Sequence, residues 1–300
     1  MTPNYTTHSF LSNGNKLIAK LYLPTPLPSS PPPVIVVTGA WTTVKEQMPH
    51  VYAAELAQRG FAAFTFDFSG WGQSEGENRF LEDPIAKTED IKAAVHFLTR
   101  CPDVDTSQIA GLGLCASSGY MVKAFTETPA LKTIALVAPW LHNPAIAKEV
   151  YGGPDAYSAL IATSDKASQK FQETGQITTI TAASTTDQTA LMYQAPYYTE
   201  PDRGLIAAYD NQFNLASWRP WLTFDAITLA DQLSKPLFFV HSKAAVIPHG
   251  IKQFAEAATP WATGLWLDNI TQFEFYDQTE PVRLASDAIA RHFSDTLSPQ

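Results

Sequence analysis

The chain has 300 residues, which is enough for one large domain or for a core domain with a lid. Its net charge is −9 and it has no run of lysine or arginine, which argues against nucleic acid and anionic membranes as partners. The cysteines, Cys101 and Cys115, form neither a disulfide framework nor a metal-ligand pattern. Without a signal peptide or an apolar run of membrane-spanning length, the sequence predicts a cytoplasmic protein acting on a small molecule. We expect no metal and no cofactor, and the sequence leaves a homodimer open.

Short continuous apolar runs alternate with helical stretches along most of the chain. Residues 7–23 contain two β runs joined by an Asn-Gly turn. Strands without polar alternation, separated by helices, indicate a parallel sheet that is covered on both faces. Further strands are predicted at 33–37, 61–68, 108–114, 133–139, 236–241 and 264–269, and helices at 44–59, at 86–100, from about 117, between the last two strands and at 279–294.

The alternation stops in residues 140–232, which are rich in Ala, Thr, Tyr and Trp and have helical pieces without a clear strand. We therefore predict an α/β core made of residues 1–139 and 233–300, with 140–232 inserted as a mostly helical lid. A lid above the carboxyl ends of the strands would enclose the place where such folds bind ligands. Its aromatic residues suggest an apolar, medium-sized substrate, although most of them can be explained as packing of the lid: Trp140, Tyr193, Tyr197, Tyr198, Trp218 and Trp221.

The segment 113–119 (GLCASSG) follows a predicted buried strand and opens a helix, as a nucleophile elbow does. Cys115 takes the nucleophile position, where the N-terminus of the next helix would favour a thiolate. The alternative is that this cysteine is a small buried hydrophobic residue. Ser117, in the place of the second glycine, and Ser118 are alternative nucleophiles, whereas Cys101 is expected to be inert.

Three stretches around these elements resemble the α/β-hydrolase superfamily, in its dienelactone-hydrolase-like and YcjY/FrsA-like branch. They are TGAWTTVKEQM (38–48), FDFSGWGQSEG (66–76) and GLCASSGY (113–120). The resemblance implies an α/β-hydrolase fold, and it implies an oxyanion hole formed by the amides of Trp41 and Ala116. Similar stretches occur in the lid region at 197–204 and 217–225 and in the terminal motif at 271–277.

The same resemblance implies an acid and a histidine that the chain does not have at the expected places. Ala244 and Ala245 stand where relatives often carry aspartate, and Gln272 stands where the terminal motif carries histidine. A glutamine can orient a water or a carbonyl but cannot take a proton. A cysteine tolerates a missing base better than a serine, because part of it is ionised at neutral pH.

Substitutes for the missing base are sought among residues at the carboxyl ends of strands. His241 matches a histidine that is usually structural in relatives, and His142 and His249 can also be solvated loop residues. We place His241 with Cys115 and Gln272 in the predicted catalytic set. The predicted substrate pocket contains Trp140, His142 and Glu274, whereas Asp67 is expected to order the loop after its strand.

Three functions remain open from the sequence. The first is acyl transfer or hydrolysis of an ester, lactone or thioester through Cys115. The second is non-hydrolytic catalysis, such as a cyclase or isomerase acting on a biosynthetic intermediate. The third is a catalytically silent binding protein. The missing acid and base favour the last two, while Cys115 and the oxyanion loop favour the first two.

Overall fold

The computed structural model describes residues 4–297, and within this range the chain forms twelve strands and ten α-helices. Eight of the strands make one central sheet and four very short ones lie in the inserted block. The strands of the central sheet are β1 (Tyr5–Ser12), β2 (Asn15–Tyr22), β3 (Val34–Thr38), β4 (Ala62–Phe66), β5 (Ile109–Leu114), β6 (Leu131–Val137), β11 (Leu237–Ser242) and β12 (Ala262–Leu267).

The sheet has the order β1-β2-β4-β3-β5-β6-β11-β12. The hairpin of β1 and β2 turns at Asn13 and Gly14, both with positive φ, as the Asn-Gly signal predicts. β2 pairs antiparallel with β4, and every pair from β4 to β12 is parallel. β3, β4 and β5 are buried along their whole length, because a sheet covered on both faces needs apolar residues at every position. The predicted α/β fold is confirmed.

Helices flank this sheet in pairs. Helix α1 (Met48–Gln58) packs against α10 (Thr279–Leu297), and α2 (Pro84–Leu98) packs against α3 (Ser117–Glu127). α2 begins after Asp83, whose carboxylate accepts from the amides of Ile85 and Ala86. The helices outside the inserted block are α1 (Met48–Gln58), α2 (Pro84–Leu98), α3 (Ser117–Glu127), α8 (Pro248–Ala257), α9 (Glu274–Asp277) and α10 (Thr279–Leu297).

Several predicted elements begin elsewhere in the structure, and for two of them the reason is evident. The helix predicted from residue 44 begins at Met48, because the preceding residues form a loop in which Lys45 bonds to Asp67. The last strand starts at Ala262, two residues before the predicted start, and it is a partly exposed edge strand with little apolar signal at its beginning. None of the helices within residues 4–297 is long and apolar enough to cross a membrane.

The block between β6 and β11 contains the expected helices. It also contains four strands that the sequence pattern does not predict. These strands have two or three residues each and form two small sheets, which is too short for a visible alternating pattern. The elements of the block are α4 (Pro144–Val150), α5 (Gly153–Thr174), β7 (Thr179–Thr181), β8 (Ala183–Ser184), β9 (Met192–Tyr193), α6 (Pro196–Thr199), β10 (Gln212–Asn214) and α7 (Trp218–Thr223).

Candidate active site

Cys115 occupies a tight turn between β5 and α3, with a φ of 55° that non-glycine residues rarely adopt. Its amide donates to the carbonyl of Val137 (3.1 Å), and its own carbonyl accepts from the amide of Trp140 (2.9 Å). A Cβ on Gly113 would lie 2.8 Å from the Cα of Ser118, so strand and helix approach too closely there for any side chain. The turn therefore has the geometry expected of a nucleophile elbow.

The two serines after Cys115 hold this turn together. The hydroxyl of Ser117 accepts from the amide of Leu114 (3.1 Å) and from the hydroxyl of Thr38 (2.9 Å). The hydroxyl of Ser118 donates to the carbonyl of Gly113 (3.2 Å). Both serines are fully buried, and neither lines the cavity described next. Their geometry fits a structural role, with Ser117 bonding to the backbone at the position of the family's second glycine.

A cavity of about 230 Å³ lies beside Cys115. Its polar lining includes the thiol of Cys115, the amide of Gln272 and the hydroxyl of Tyr276. Among the described residues that line it there is no histidine, aspartate or glutamate. Its wall is largely aromatic and is formed by Trp41, Trp140, Tyr151, Tyr198, Trp221 and Phe273.

The thiol of Cys115 is buried, and burial raises its pKa to about 11. Interactions with the Tyr276 hydroxyl and the Ala116 amide lower this pKa, but by less than burial raises it. The amide at the helix N-terminus therefore favours the thiolate, as expected, but burial outweighs this effect. At neutral pH Cys115 is a protonated thiol.

Gln272, which stands where the resemblance implies a histidine, lies in the cavity wall. Its Nε2 donates to the carbonyl of Ala138 (2.9 Å) and to the hydroxyl oxygen of Tyr276 (3.0 Å), while its Oε1 accepts from the amide of Val246 (3.3 Å). Tyr276 belongs to the terminal motif 271–277, but no role for it follows from the sequence. Its signal was the spacing of four residues from Gln272, which places both on one side of a helical turn.

His241 does not line the cavity. It lies inside β11, fully buried, with its ring centroid 5.4 Å from that of Trp266, and burial lowers its pKa to about 4. His249 is exposed on α8. The structure therefore brings neither histidine into the wall that Cys115 and Gln272 share, because His241 faces Trp266 and His249 faces outward from α8.

His142 also lies outside the cavity and braces its wall. Its Nδ1 accepts from the indole of Trp140 (3.1 Å), and its Nε2–H donates to the carbonyl of Trp221 (2.8 Å). A carbonyl can only accept, so this pairing fixes the tautomer. Burial lowers the pKa of His142 to about 4, and the ring is neutral at physiological pH.

The carboxylates near the site have structural partners. Glu274 is not in the cavity wall, because its carboxylate accepts from the amide of Thr271 (2.7 Å) at the start of α9. Asp67 accepts from the amide and the ammonium of Lys45 (2.8 and 2.7 Å), which orders its loop as expected. At Ala244, where the resemblance implies an acid, the backbone amide donates to the hydroxyl of Ser242 (3.1 Å).

The residues predicted to form an oxyanion hole both line the cavity. Within residues 4–297 no backbone carbonyl accepts from the amide of Trp41 or from that of Ala116. The next amide along the loop, that of Thr42, donates to the buried carboxylate of Glu82 (3.3 Å). This anchor holds the loop at one side of the cavity.

The aromatic residues of the inserted block divide between cavity and packing. Tyr197 and Trp218 are buried against other rings, and Tyr193 is 42% exposed. Packing alone was expected to explain most of the six aromatic residues of this block. Three of the six, however, line the cavity. The three in the cavity wall are Trp140, Tyr198 and Trp221.

With this geometry established, residues 13–269 match the X-Pro dipeptidyl-peptidase (S15) family. The chain belongs to this family. The match and the order of the central sheet both agree with an α/β-hydrolase fold. They also confirm the resemblance to the YcjY-like branch that the motifs indicate.

Individual relatives show how much of the chain is similar to known proteins. The chain is 39% identical over 104 residues to the uncharacterised Escherichia coli protein YcjY, covering 35% of this chain and 34% of YcjY. It is 31% identical over 137 residues to thiohydrolase aneE of Aspergillus aculeatus, covering 45% and 42%. The crystal structure of the hypothetical protein PA2218 from Pseudomonas aeruginosa superposes with a TM-score of 0.86 at 22% identity, over 99% of this chain and 94% of that one. The chain thus spans between a third and a half of the two curated relatives.

Proposed function

We propose that this protein hydrolyses an ester, lactone or thioester of a medium-sized apolar acid, with Cys115 as the nucleophile. The observation that carries the proposal is the strained turn that presents Cys115 to an aromatic cavity. The amides of Trp41 and Ala116 are proposed as the oxyanion hole, since both line the cavity without a carbonyl partner. A relative named as a thiohydrolase makes thioesters the first class to test.

In the acylation step the sulfur of Cys115 bonds to the acyl carbon, and the bond from that carbon to the leaving group breaks. The thiol proton passes to the leaving group, which departs as a thiol or an alcohol. Each oxyanion donor typically contributes about 3–4 kcal/mol to the stability of such a transition state. Water then cleaves the thioester to Cys115, which releases the acid and restores the thiol.

The deacylation step has no evident base, since no histidine or carboxylate lines the cavity in the described chain. This observation favours a second function, a non-hydrolytic catalyst that uses the same oxyanion donors on a biosynthetic intermediate. In that case Cys115 forms no bond to the substrate. The inserted block of residues 140–232 is proposed as the lid in both functions, because it supplies Trp140, Tyr198 and Trp221 to the wall.

Intact-mass measurement after incubation with apolar acyl thioesters and p-nitrophenyl esters tests the proposal. We expect a burst of one leaving group per enzyme and an acyl adduct that peptide mapping assigns to Cys115. The Cys115→Ala variant should show neither, and Cys101→Ala should behave like the wild type. Hydrolysis that survives in Cys115→Ala would show that Cys115 is not the nucleophile, whereas no adduct and no turnover with any ester would exclude nucleophilic catalysis by Cys115 on these substrates.

A further inference from the structure

The side-chain amide of Gln272 has only one orientation that satisfies its neighbours. The carbonyl of Ala138 can only accept and the amide of Val246 can only donate. The NH₂ group therefore faces Ala138, and the oxygen faces Val246. Ala138 itself has a φ of 45°, an uncommon backbone conformation, and its amide is tied to the carbonyl of Val240 (2.9 Å). The acceptor that orients Gln272 is thus held by the sheet.

The second N–H of the same NH₂ group is donated to the hydroxyl oxygen of Tyr276 (3.0 Å). A hydroxyl has one proton to give, and a tyrosine that accepts from Gln272 has to direct that proton elsewhere. Tyr276 is buried in the cavity wall together with Cys115, and of the groups that lower the pKa of the Cys115 thiol it has the largest effect. Since the Tyr276 oxygen is occupied by the Gln272 amide, its own proton is left for an acceptor in the cavity, where the sulfur of Cys115 lies.

We infer that Tyr276 is a catalytic hydrogen-bond donor to the sulfur of Cys115, and that Gln272 is the positioning residue that turns the hydroxyl this way. Gln272 occupies the sequence position at which the resemblance implies a histidine base. The pair stabilises the thiolate as the thiol loses its proton, but it does not take that proton. The inference rests on the proposed nucleophilic role of Cys115.

The test follows the protonation of Cys115 without any substrate. In a Cys101→Ala background the Raman S–H stretching band reports the protonated fraction of Cys115 directly. Tyr276→Phe keeps the ring and removes only the hydroxyl. A hydrogen bond to a charged group is worth about one pKa unit, so we expect about a tenfold lower thiolate fraction near pH ~10 in this variant. Gln272→Met should give a smaller decrease, because the hydroxyl stays but loses its orientation.

Tyr198→Phe is the matched control, because Tyr198 lines the same cavity but directs its hydroxyl to the carbonyl of Trp41. Its thiolate fraction should equal that of the parent. An unchanged titration in Tyr276→Phe, or an equal shift in Tyr198→Phe, would overturn the inference. The titration needs no turnover, so a shift in Tyr276→Phe with no acyl adduct on any substrate would refute the proposed function and leave the hydrogen bond established.

Discussion

Burial and hydrogen bonding act in opposite directions on the thiol of Cys115. Burial dominates and raises the pKa to about 11, while the Tyr276 hydroxyl and the Ala116 amide lower it by a smaller amount. The protonated form is neutral, so it is the form that the apolar cavity tolerates. Cys115 therefore differs from reactive cysteines that sit next to a cationic partner.

This pKa predicts how alkylation of Cys115 depends on pH. In Cys101→Ala, modification by iodoacetamide should be slow at neutral pH and should keep rising until the pH approaches about 11. Thiolate is the reacting species, and its fraction grows about tenfold per pH unit below the pKa. The denatured protein is the control, and its rate should level off near the ordinary value of about 8.5. A plateau at that value in the folded protein would contradict the prediction.

At the scale of elements, a buried ion pair connects the loop before α1 with helices α2 and α3. The ammonium of Lys87 lies 2.7 Å from the carboxylate of Glu82, and both side chains are almost inaccessible. The carboxylate also accepts from the hydroxyl of Tyr120 (2.8 Å) and from the amide of Thr42 (3.3 Å). Glu82 thus holds the loop that carries Trp41 against the helix that follows Cys115.

We expect Lys87→Met to lower the free energy of unfolding by about 3–5 kcal/mol, because it leaves the charge of Glu82 buried without its partner. The double variant Glu82→Gln/Lys87→Met should recover most of this loss, since glutamine can still accept from Thr42. Chemical denaturation measures both. Lys92→Met is the control on the same helix, because Lys92 forms partly exposed ion pairs that contribute little. Equal effects at Lys87 and Lys92 would disprove the argument.

At the scale of the whole molecule, the inserted block is tied to the core next to the cavity. The guanidinium of Arg203 bonds to both carboxylate oxygens of Asp277 (2.6 Å each) and to the carbonyl of Phe273 (3.0 Å). Phe273 is part of the cavity wall. Local opening of the block there would admit solvent and reagents to Cys115.

Arg203→Met should therefore increase the alkylation rate of Cys115 at fixed pH. Loss of a partly exposed pair worth about 1–2 kcal/mol corresponds to about a 5- to 30-fold larger open population. Limited proteolysis within residues 178–210 should accelerate in parallel. Arg219→Met is the control, because Arg219 pairs with Asp165 inside the block and not across it to the core. The prediction fails if both variants leave the rate unchanged.

Features that depend on neighbouring residues can be predicted from the sequence, whereas features that depend on contacts between distant residues cannot. Apolar runs predict the buried strands, and the small residues around Cys115 predict the elbow, because both are local patterns. The paired role of Gln272 and Tyr276 depends on the carbonyl of Ala138, which is distant in sequence. His241 carries no signal that its side chain faces Trp266 rather than the cavity. Similarly, the raised pKa of Cys115 arises from burial in a cavity whose wall combines residues of the block with residues of the core, which no local pattern reveals.

The lack of charged residues in the cavity wall of the described chain has a consequence for release of the acid in the proposed hydrolysis. In the part of the chain that the structure describes, no lysine, arginine or histidine lines the cavity. A carboxylate formed there would lose its hydration and gain only neutral donors in return. The acid product is therefore stabilised less than the neutral substrate from which it came. An enzyme built this way should be inhibited only weakly by its product, while an uncharged amide of the same acid should compete well with the substrate.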